Sequence, residues 1–241
     1  MKFGAVILCA NEWRFMPAVL GQLSQVVDRL VVLRNRLSLS GLRVALEEVP
    51  ALAVETVEGE WESEAAARNA GMELLSDYDY VFIVDSDELL TLDALNLLKS
   101  VCEQRSPRAI GARFYTYWKT PEYIITPPET KPLEASAPII VRKEVRFTKH
   151  RIIDNGEVMI PPVFMVHHLS YVRTDEEMRD KLLLFGHADE VVPNWFENVW
   201  KKWDEDPTLE NLHPTRPEAF QRAVQTPSRT ARELLARWGC K

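Results

Sequence analysis

The chain lacks any apolar run long enough to cross a bilayer, and its opening Met1-Lys2-Phe3 leads straight into a strand instead of an apolar leader. Cysteine is scarce: Cys9, Cys102 and Cys240 are odd in number and far apart, so reduced thiols are expected over a bridge. Both absences predict a cytoplasmic protein without a transmembrane segment. A basic excess is missing too. The formal charge of −7 over 241 residues weighs against nucleic acid as a partner. Internal repeats and low-complexity segments are absent, which excludes a solenoid or a linker-rich chain. What remains is a soluble globular composition, 46% hydrophobic and 27% charged, with length enough for one α/β domain and a proper core. The charge is uneven. From Pro214 to Lys241 the chain carries a net +4, leaving −11 elsewhere. Such a basic tail touches an anionic partner or packs on its own domain, and self-packing is the expectation.

Against those absences stands a strong alternation of strands and helices. Residues 3–10 form a continuous apolar run, as in a strand covered on both faces. A helix is predicted over about 14–27, with Pro17 tolerated in its first turn. Apolar runs at 29–33 and 52–57 predict two further strands. Residues 62–75 predict a helix, with Ala67, Ala70, Gly71, Leu74 and Leu75 on one face. A strand at 80–84 and a helix over about 91–104 follow. This βα rhythm implies a largely parallel sheet. Beyond residue 105 the rhythm changes. Strands are predicted at 108–118 and 137–147, separated by a proline-rich loop that is a candidate acceptor-side element. A strand over 163–172 passes through His167-His168. Thr174 and Glu177 then have the form of a capping box opening a helix that reaches about His187. A last aromatic stripe of Phe196, Val199, Trp200 and Trp203 reads as core.

The most informative stretch is Tyr80-Val81-Phe82-Ile83-Val84-Asp85-Ser86-Asp87-Glu88, a buried-type strand ending in three carboxylates within four positions. In an open α/β sheet, ligands bind in the crevice past the carboxyl ends of the strands. Carboxylates there suit Mn²⁺ or Mg²⁺, hard cations that take oxygen ligands and keep positions open for phosphate oxygens. An acidic turn capping the next helix is the plain alternative.

Three segments in order, Asn11-Glu12 after the first strand, Ala66-Ala67-Arg68-Asn69-Ala70-Gly71 on a helix, and Val84-Asp85-Ser86-Asp87-Glu88, resemble the family 2 glycosyltransferases of GT-A fold. The resemblance covers about residues 3–115, with a weaker echo at 163–188. It implies a GT-A fold: a Rossmann-like, mostly parallel central sheet flanked by helices, a smaller mixed β region and C-terminal helices. A nucleotide-sugar-binding half (1–115), an acceptor-side half (116–213) and a basic tail (214–241) follow from it. The implied activity is metal-assisted transfer of a sugar from a nucleotide-diphosphate donor to an acceptor hydroxyl, with inversion. A UDP-sugar is favoured, with GDP- or dTDP-sugars as other choices. Under the resemblance, Asp85, Asp87 and His168 would hold the metal, and Ala10, Asn11, Glu12, Asn35, Arg68, Asp85, Ser86 and Lys181 would line the donor site. Adjacent strand histidines face opposite sides, so only one of His167 and His168 reaches the metal; the Leu-Ser-Tyr that follows favours His168. The base is not ranked by the sequence among Glu129, Glu134, Asp154 and Glu157, and Glu134 in the proline-rich loop is taken.

One departure stands out. Where many members carry acidic residues after the second strand, this chain reads Val32-Leu33-Arg34-Asn35-Arg36, with no carboxylate. Two other readings compete. A haloacid dehalogenase-like phosphatase would use Asp85 as nucleophile and Asp87 as acid/base. A GT-A domain without catalysis would bind a nucleotide sugar or a partner protein.

Overall fold

The computed structural model describes residues 1–9, 13–34, 53–126, 136–155, 157–159, 161, 165–184 and 188–240. In chain order these form β1 (Phe3–Cys9), α1 (Met16–Leu23), β2 (Arg29–Arg34), β3 (Ala53–Glu58), α2 (Glu64–Leu74), β4 (Tyr80–Asp85) and β5 (Glu88–Leu89). Next come α3 (Leu92–Arg105), β6 (Ala109–Trp118), β7 (Thr120–Thr126), β8 (Ser136–Arg142), β9 (Phe147–Lys149), β10 (Ile152–Ile153) and β11 (Val158–Met159). The chain continues with β12 (Met165–Tyr171), α4 (Asp175–Leu184), β13 (Arg222–Gln225) and α5 (Thr230–Arg237). Two compact units result, one from Met1–Arg113, Ala135–Val166 and Glu233–Lys241, the other from Phe114–Glu134 and His167–Arg232.

The first unit is a mixed sheet, mostly parallel in its centre. Strands β1, β2, β3 and β4 are parallel, in the order β3-β2-β1-β4. Strand β8 then joins β4 antiparallel and β6 joins β8 antiparallel. The central strands are buried on both faces, which is why they read as unbroken apolar runs. Helix α2 starts at Ser63, whose hydroxyl accepts the Ala66 N–H, and presses tightly on the sheet at Gly71. A Cβ there would stand 2.7 Å from Val6 and 3.1 Å from Leu33. Of the predicted tail over 214–241, only Glu233–Lys241 belongs to this unit, with the Trp238 ring lying against Gly21 of α1.

The second unit is built on aromatic packing. Trp118 lies 5.2 Å from Trp200 and 5.5 Å from Tyr171, ring centre to ring centre, and Trp195 and Trp203 close the cluster. Trp200 donates its indole N–H to Asp175 (2.8 Å) and Trp195 donates to the Leu212 carbonyl (3.1 Å), so those rings are buried without losing their hydrogen bonds. The capping box forms at α4: Thr174 N–H donates to Glu177 (2.8 Å) and Glu177 N–H to the Thr174 hydroxyl (3.2 Å).

Three expectations are corrected. The single strand predicted over 137–147 is two, because the chain turns at Lys143-Glu144, where Val145 N–H bonds the Arg142 carbonyl. The proline-rich stretch begins not as loop but as β7, which pairs with both β6 and β13. Pro121 is tolerated because it falls where the β6–β7 register shifts, between the pairs at Thr120 and Ile124. The helix predicted over 14–27 is also shorter, a 3-10 turn at Trp13–Phe15 followed by α1.

Candidate functional site

Strand β4 delivers its acidic end to the carboxyl edge of the parallel sheet. Ser86 N–H bonds the Leu8 carbonyl (2.9 Å), so the chain stays against β1 for one residue past β4. Gln22, buried on α1, then fixes the following segment with both ends of its amide. Its Nε2 donates to the Glu88 carbonyl (3.0 Å) and its Oε1 accepts from Leu90 N–H (2.7 Å). A polar side chain on the buried face of α1 is the only sequence signal for this brace.

Asp85 is the centre of a charge network within the first unit. Arg68, 1% exposed, donates from Nη2 to Asp85 (3.0 Å) and from Nη1 to Glu64 (2.9 Å) and the His150 carbonyl (3.0 Å). Arg151, in the turn between β9 and β10, bridges Asp85 (2.9 Å) and Glu88 (2.6 Å). Glu88 also accepts the Asp85 N–H at 2.9 Å. Asn69 docks the hairpin on α2 by exchanging two hydrogen bonds with the Phe147 backbone (2.8 and 2.9 Å). Burial alone would raise the Asp85 carboxyl; the Arg151 and Arg68 guanidiniums outweigh it and hold it well below the usual carboxylate range. The same contacts push Arg151 upward against its own burial. Residue by residue spacing could find the Arg68–Glu64 pair, but not Arg151.

Asp87 and Glu88 are both 3% exposed, and they are the described carboxylates whose oxygens could share a metal ion. Buried oxygen donors of this kind fit a hard divalent cation. Asp85 is not among them. Cys9 stands beside this end of β4; its thiol bonds Ser86, and burial pushes it up to about 11.

In the second unit, the two adjacent histidines meet different surroundings. His167 is buried, with Nδ1 2.7 Å from the Tyr117 hydroxyl, and burial pushes it down to about 4. His168 faces the Phe114 ring edge-on and stands 3.4 Å from the Thr116 hydroxyl. Lys181 donates to the Ser170 hydroxyl (2.7 Å). Of the base candidates, Asp154 is tied to Arg108 (2.6 Å) and to Arg146 N–H (3.1 Å). Ala10, Asn11, Glu12, Asn35, Glu129 and Glu134 lie outside the described residues.

The parallel β3-β2-β1-β4 core with β8 and β6 antiparallel beside it is a GT-A glycosyltransferase-like fold. S. aureus TarS, residues 1–349 in complex with UDP-GlcNAc, has this fold at a TM-score of 0.50 and 13% identity. That match covers 76% of this chain and 65% of that one, so the chain spans less than two thirds of the TarS fragment. The same fragment with UDP matches at 0.50 and 10% identity, over 85% of this chain and 78% of that one. Glucosyl-3-phosphoglycerate synthase from Mycobacterium tuberculosis, in complex with Mn²⁺, UDP and phosphoglyceric acid, matches at 0.38 and 16% identity, over 48% of this chain and 43% of that one. The 4-diphosphocytidyl-2C-methyl-D-erythritol synthase of Anaerococcus prevotii matches at 0.45 and 13% identity, over 76% of this chain and 96% of that one. At these identities the likeness is one of fold. No protein-family model and no curated protein matches the sequence.

Proposed function

We propose that this protein transfers a sugar from a nucleotide-diphosphate donor to an acceptor hydroxyl, with a divalent cation, Mn²⁺ or Mg²⁺, as cofactor. The observation that carries the reading is the pair of buried carboxylates, Asp87 and Glu88, at the carboxyl edge of a GT-A-like sheet. In this reading Asp87 is the principal metal ligand, Glu88, which Arg151 also holds, lends a second carboxylate, and His168 is the nitrogen ligand that the family resemblance implies. When bound, the cation would neutralise charge developing on the departing diphosphate. Asp85 and Ser86 face the donor ribose, with Asp85 kept ionised and oriented by Arg68 and Arg151. Ala10, Asn11, Glu12 and Asn35 line the base and ribose, and Lys181 supplies an ammonium toward the diphosphate. Glu134 takes the acceptor proton, giving inversion. The phosphatase reading needs Asp85 free to attack phosphorus, and its carboxylate is held between two guanidiniums. UDP-, GDP- and dTDP-sugars, each with and without Mn²⁺, test the proposal by thermal shift on the wild type and Asp87→Asn. A ligand at a hundredfold excess over Kd adds about 2.7 kcal/mol of stability. A metal-dependent rise with one donor, lost in Asp87→Asn, is the expected result; no rise with any of them sinks the proposal.

A further inference from the structure

The turn between β9 and β10 brings a cation of the chain's own to the acidic end of β4. Strand β8 runs antiparallel to β4 and leaves it at Arg142, level with Tyr80 at the start of that strand. The hairpin therefore runs back beside β4 to set Arg151 against Asp85 and Glu88. Its two ends are held differently. At the base, Val145 and Phe147 are buried in the core beneath α2, and Asn69 grips the Phe147 backbone. Asp154 closes the base, donating its N–H to the Arg146 carbonyl (2.7 Å) and accepting from Arg146 N–H and from Arg108. The tip is built on polar contacts. His150 sits in the left-handed region (φ 47°), a conformation that costs a non-glycine residue, and its carbonyl accepts from Arg68. The pairing shifts register between Ile152 and Ile153, and Ile152 is 60% exposed. Yet the Arg151 side chain is 11% exposed and donates from Nη2 to Oε2 of Glu88.

Two cations have a claim on Glu88. Arg151 holds it, and with Asp87 it would hold the divalent cation of the reading above. A guanidinium and a dication on one carboxylate stand within a few ångströms of each other, and their repulsion is strongest where water is excluded. Glu88 is 3% exposed, so little solvent screens them there. We infer that Arg151 and the cation exclude one another at Glu88, so that metal uptake expels the guanidinium and releases the hairpin tip. The inference rests on the cation reading of Asp87 and Glu88. Asp85 keeps its bond to Arg68, which comes from α2 and not from the hairpin, so one of its two cationic partners stays when the strap opens. The base stays docked through Phe147 and Asn69, which confines the motion to the turn from Thr148 to Ile152. Coupling of this kind is reciprocal: the factor by which the cation loosens the strap is the factor by which the strap weakens the cation.

The test reads the metal and the hairpin separately, with no nucleotide added. Free Mn²⁺ is followed by electron paramagnetic resonance in titrations of the wild type, Arg151→Gln and Arg142→Gln. Arg151→Gln should bind Mn²⁺ about tenfold or more tightly than wild type, the usual worth of one hydrogen bond to a charged group. Arg142→Gln, which removes an exposed arginine paired with Glu144 where β8 ends, should bind as the wild type does. In the wild type, hydrogen exchange over residues 147–153 should quicken severalfold when Mn²⁺ is added, and Asp87→Asn should abolish the change. The sign is diagnostic, because a bound metal otherwise slows exchange by stabilising the fold. This second measurement does not depend on an arginine variant that folds. Unchanged affinity in Arg151→Gln, or exchange over 147–153 that slows or holds steady as the wild type takes up metal, overturns the inference while the cation reading stands. Binding by Arg151→Gln alone is the limit of the same competition and supports it. Binding by neither protein removes the cation from the proposed function, and this inference with it.

Discussion

Arg151→Ala is the substitution that bears most directly on how the acidic site is held. The guanidinium serves two carboxylates, Asp85 at 2.9 Å and Glu88 at 2.6 Å, and Glu88 is all but inaccessible to water. Removing one partner from a buried pair typically costs about 3–5 kcal/mol, because the other charge stays desolvated. In a protein of this size each kcal/mol moves the midpoint by about 2–4 °C, so a fall of roughly 6–20 °C is expected at pH 7. Thermal melting by circular dichroism reads it. Glu88→Gln added to Arg151→Ala should recover much of the loss, since it removes the orphaned charge. The pH dependence has a definite sign. Asp85 has a folded-state value below its ordinary 3.8, so its contribution is whole above 3.8 and fades as pH falls below it. The gap between wild type and Arg151→Ala should therefore narrow below that pH. A midpoint drop under about 2 °C would put the pair among solvent-screened surface bridges and refute the reasoning.

Three further outcomes are expected. Gly71→Ala should lower stability by about 1–3 kcal/mol in denaturant unfolding, because its Cβ would meet Val6 and Leu33 in a packed interior. Gly21→Ala should displace the Trp238 ring, which a Cβ would approach to 2.4 Å, and the indole emission should shift to the red as that ring meets water. His213 is pushed down to about 4 by burial and by Arg216, and its Nδ1 accepts the Thr215 and Arg216 N–H groups. A histidine with a depressed folded value stabilises fully above its ordinary 6.5 and loses that as pH falls toward 4. At pH 5 the loss is about 2 kcal/mol before screening and nearer 1 after it for a partly exposed ring. His213→Asn, which keeps an acceptor and cannot titrate, should flatten the stability profile between pH 7 and 5.

Much of the first unit was legible because buried parallel strands leave a plain signature. Phe3–Cys9, Arg29–Arg34 and Tyr80–Asp85 are apolar runs with helix-period segments between them. The capping box at Thr174 was legible for the same reason: its two members are three residues apart. What escaped was nonlocal. Arg151 meets Glu88 across 63 residues and Gln22 meets it across 66, and no local pattern marks such partners. Strand β7 escaped because Pro121 and the prolines after it dominate the composition there. The turn at Lys143-Glu144 escaped because apolar residues on either side of it read as one strand.

The spacing of Asp85 and Asp87 in the sequence suggests equivalent carboxylates, and the fold treats them differently. Asp85 continues the alternation of Val81 and Ile83, whose side chains pack beneath α2, and so it meets Arg68 from that helix and Arg151 from the hairpin docked on it. A divalent cation bound to Asp85 would stand within a few ångströms of both guanidiniums. Each unit of like charge at about 4 Å costs about 4 kcal/mol at an effective dielectric of 20, and two arginines facing a double charge multiply that. The repulsion exceeds what one extra carboxylate oxygen returns. Asp87, past the end of the strand, is buried beside Glu88 at the carboxyl edge of the sheet. The two guanidiniums therefore weigh against a cation at Asp85, and Arg151, 2.6 Å from Glu88, competes for that carboxylate as well. That penalty arises from where the arginines sit, so neutralising Arg151 and Arg68 would raise the affinity of Asp85 for a cation.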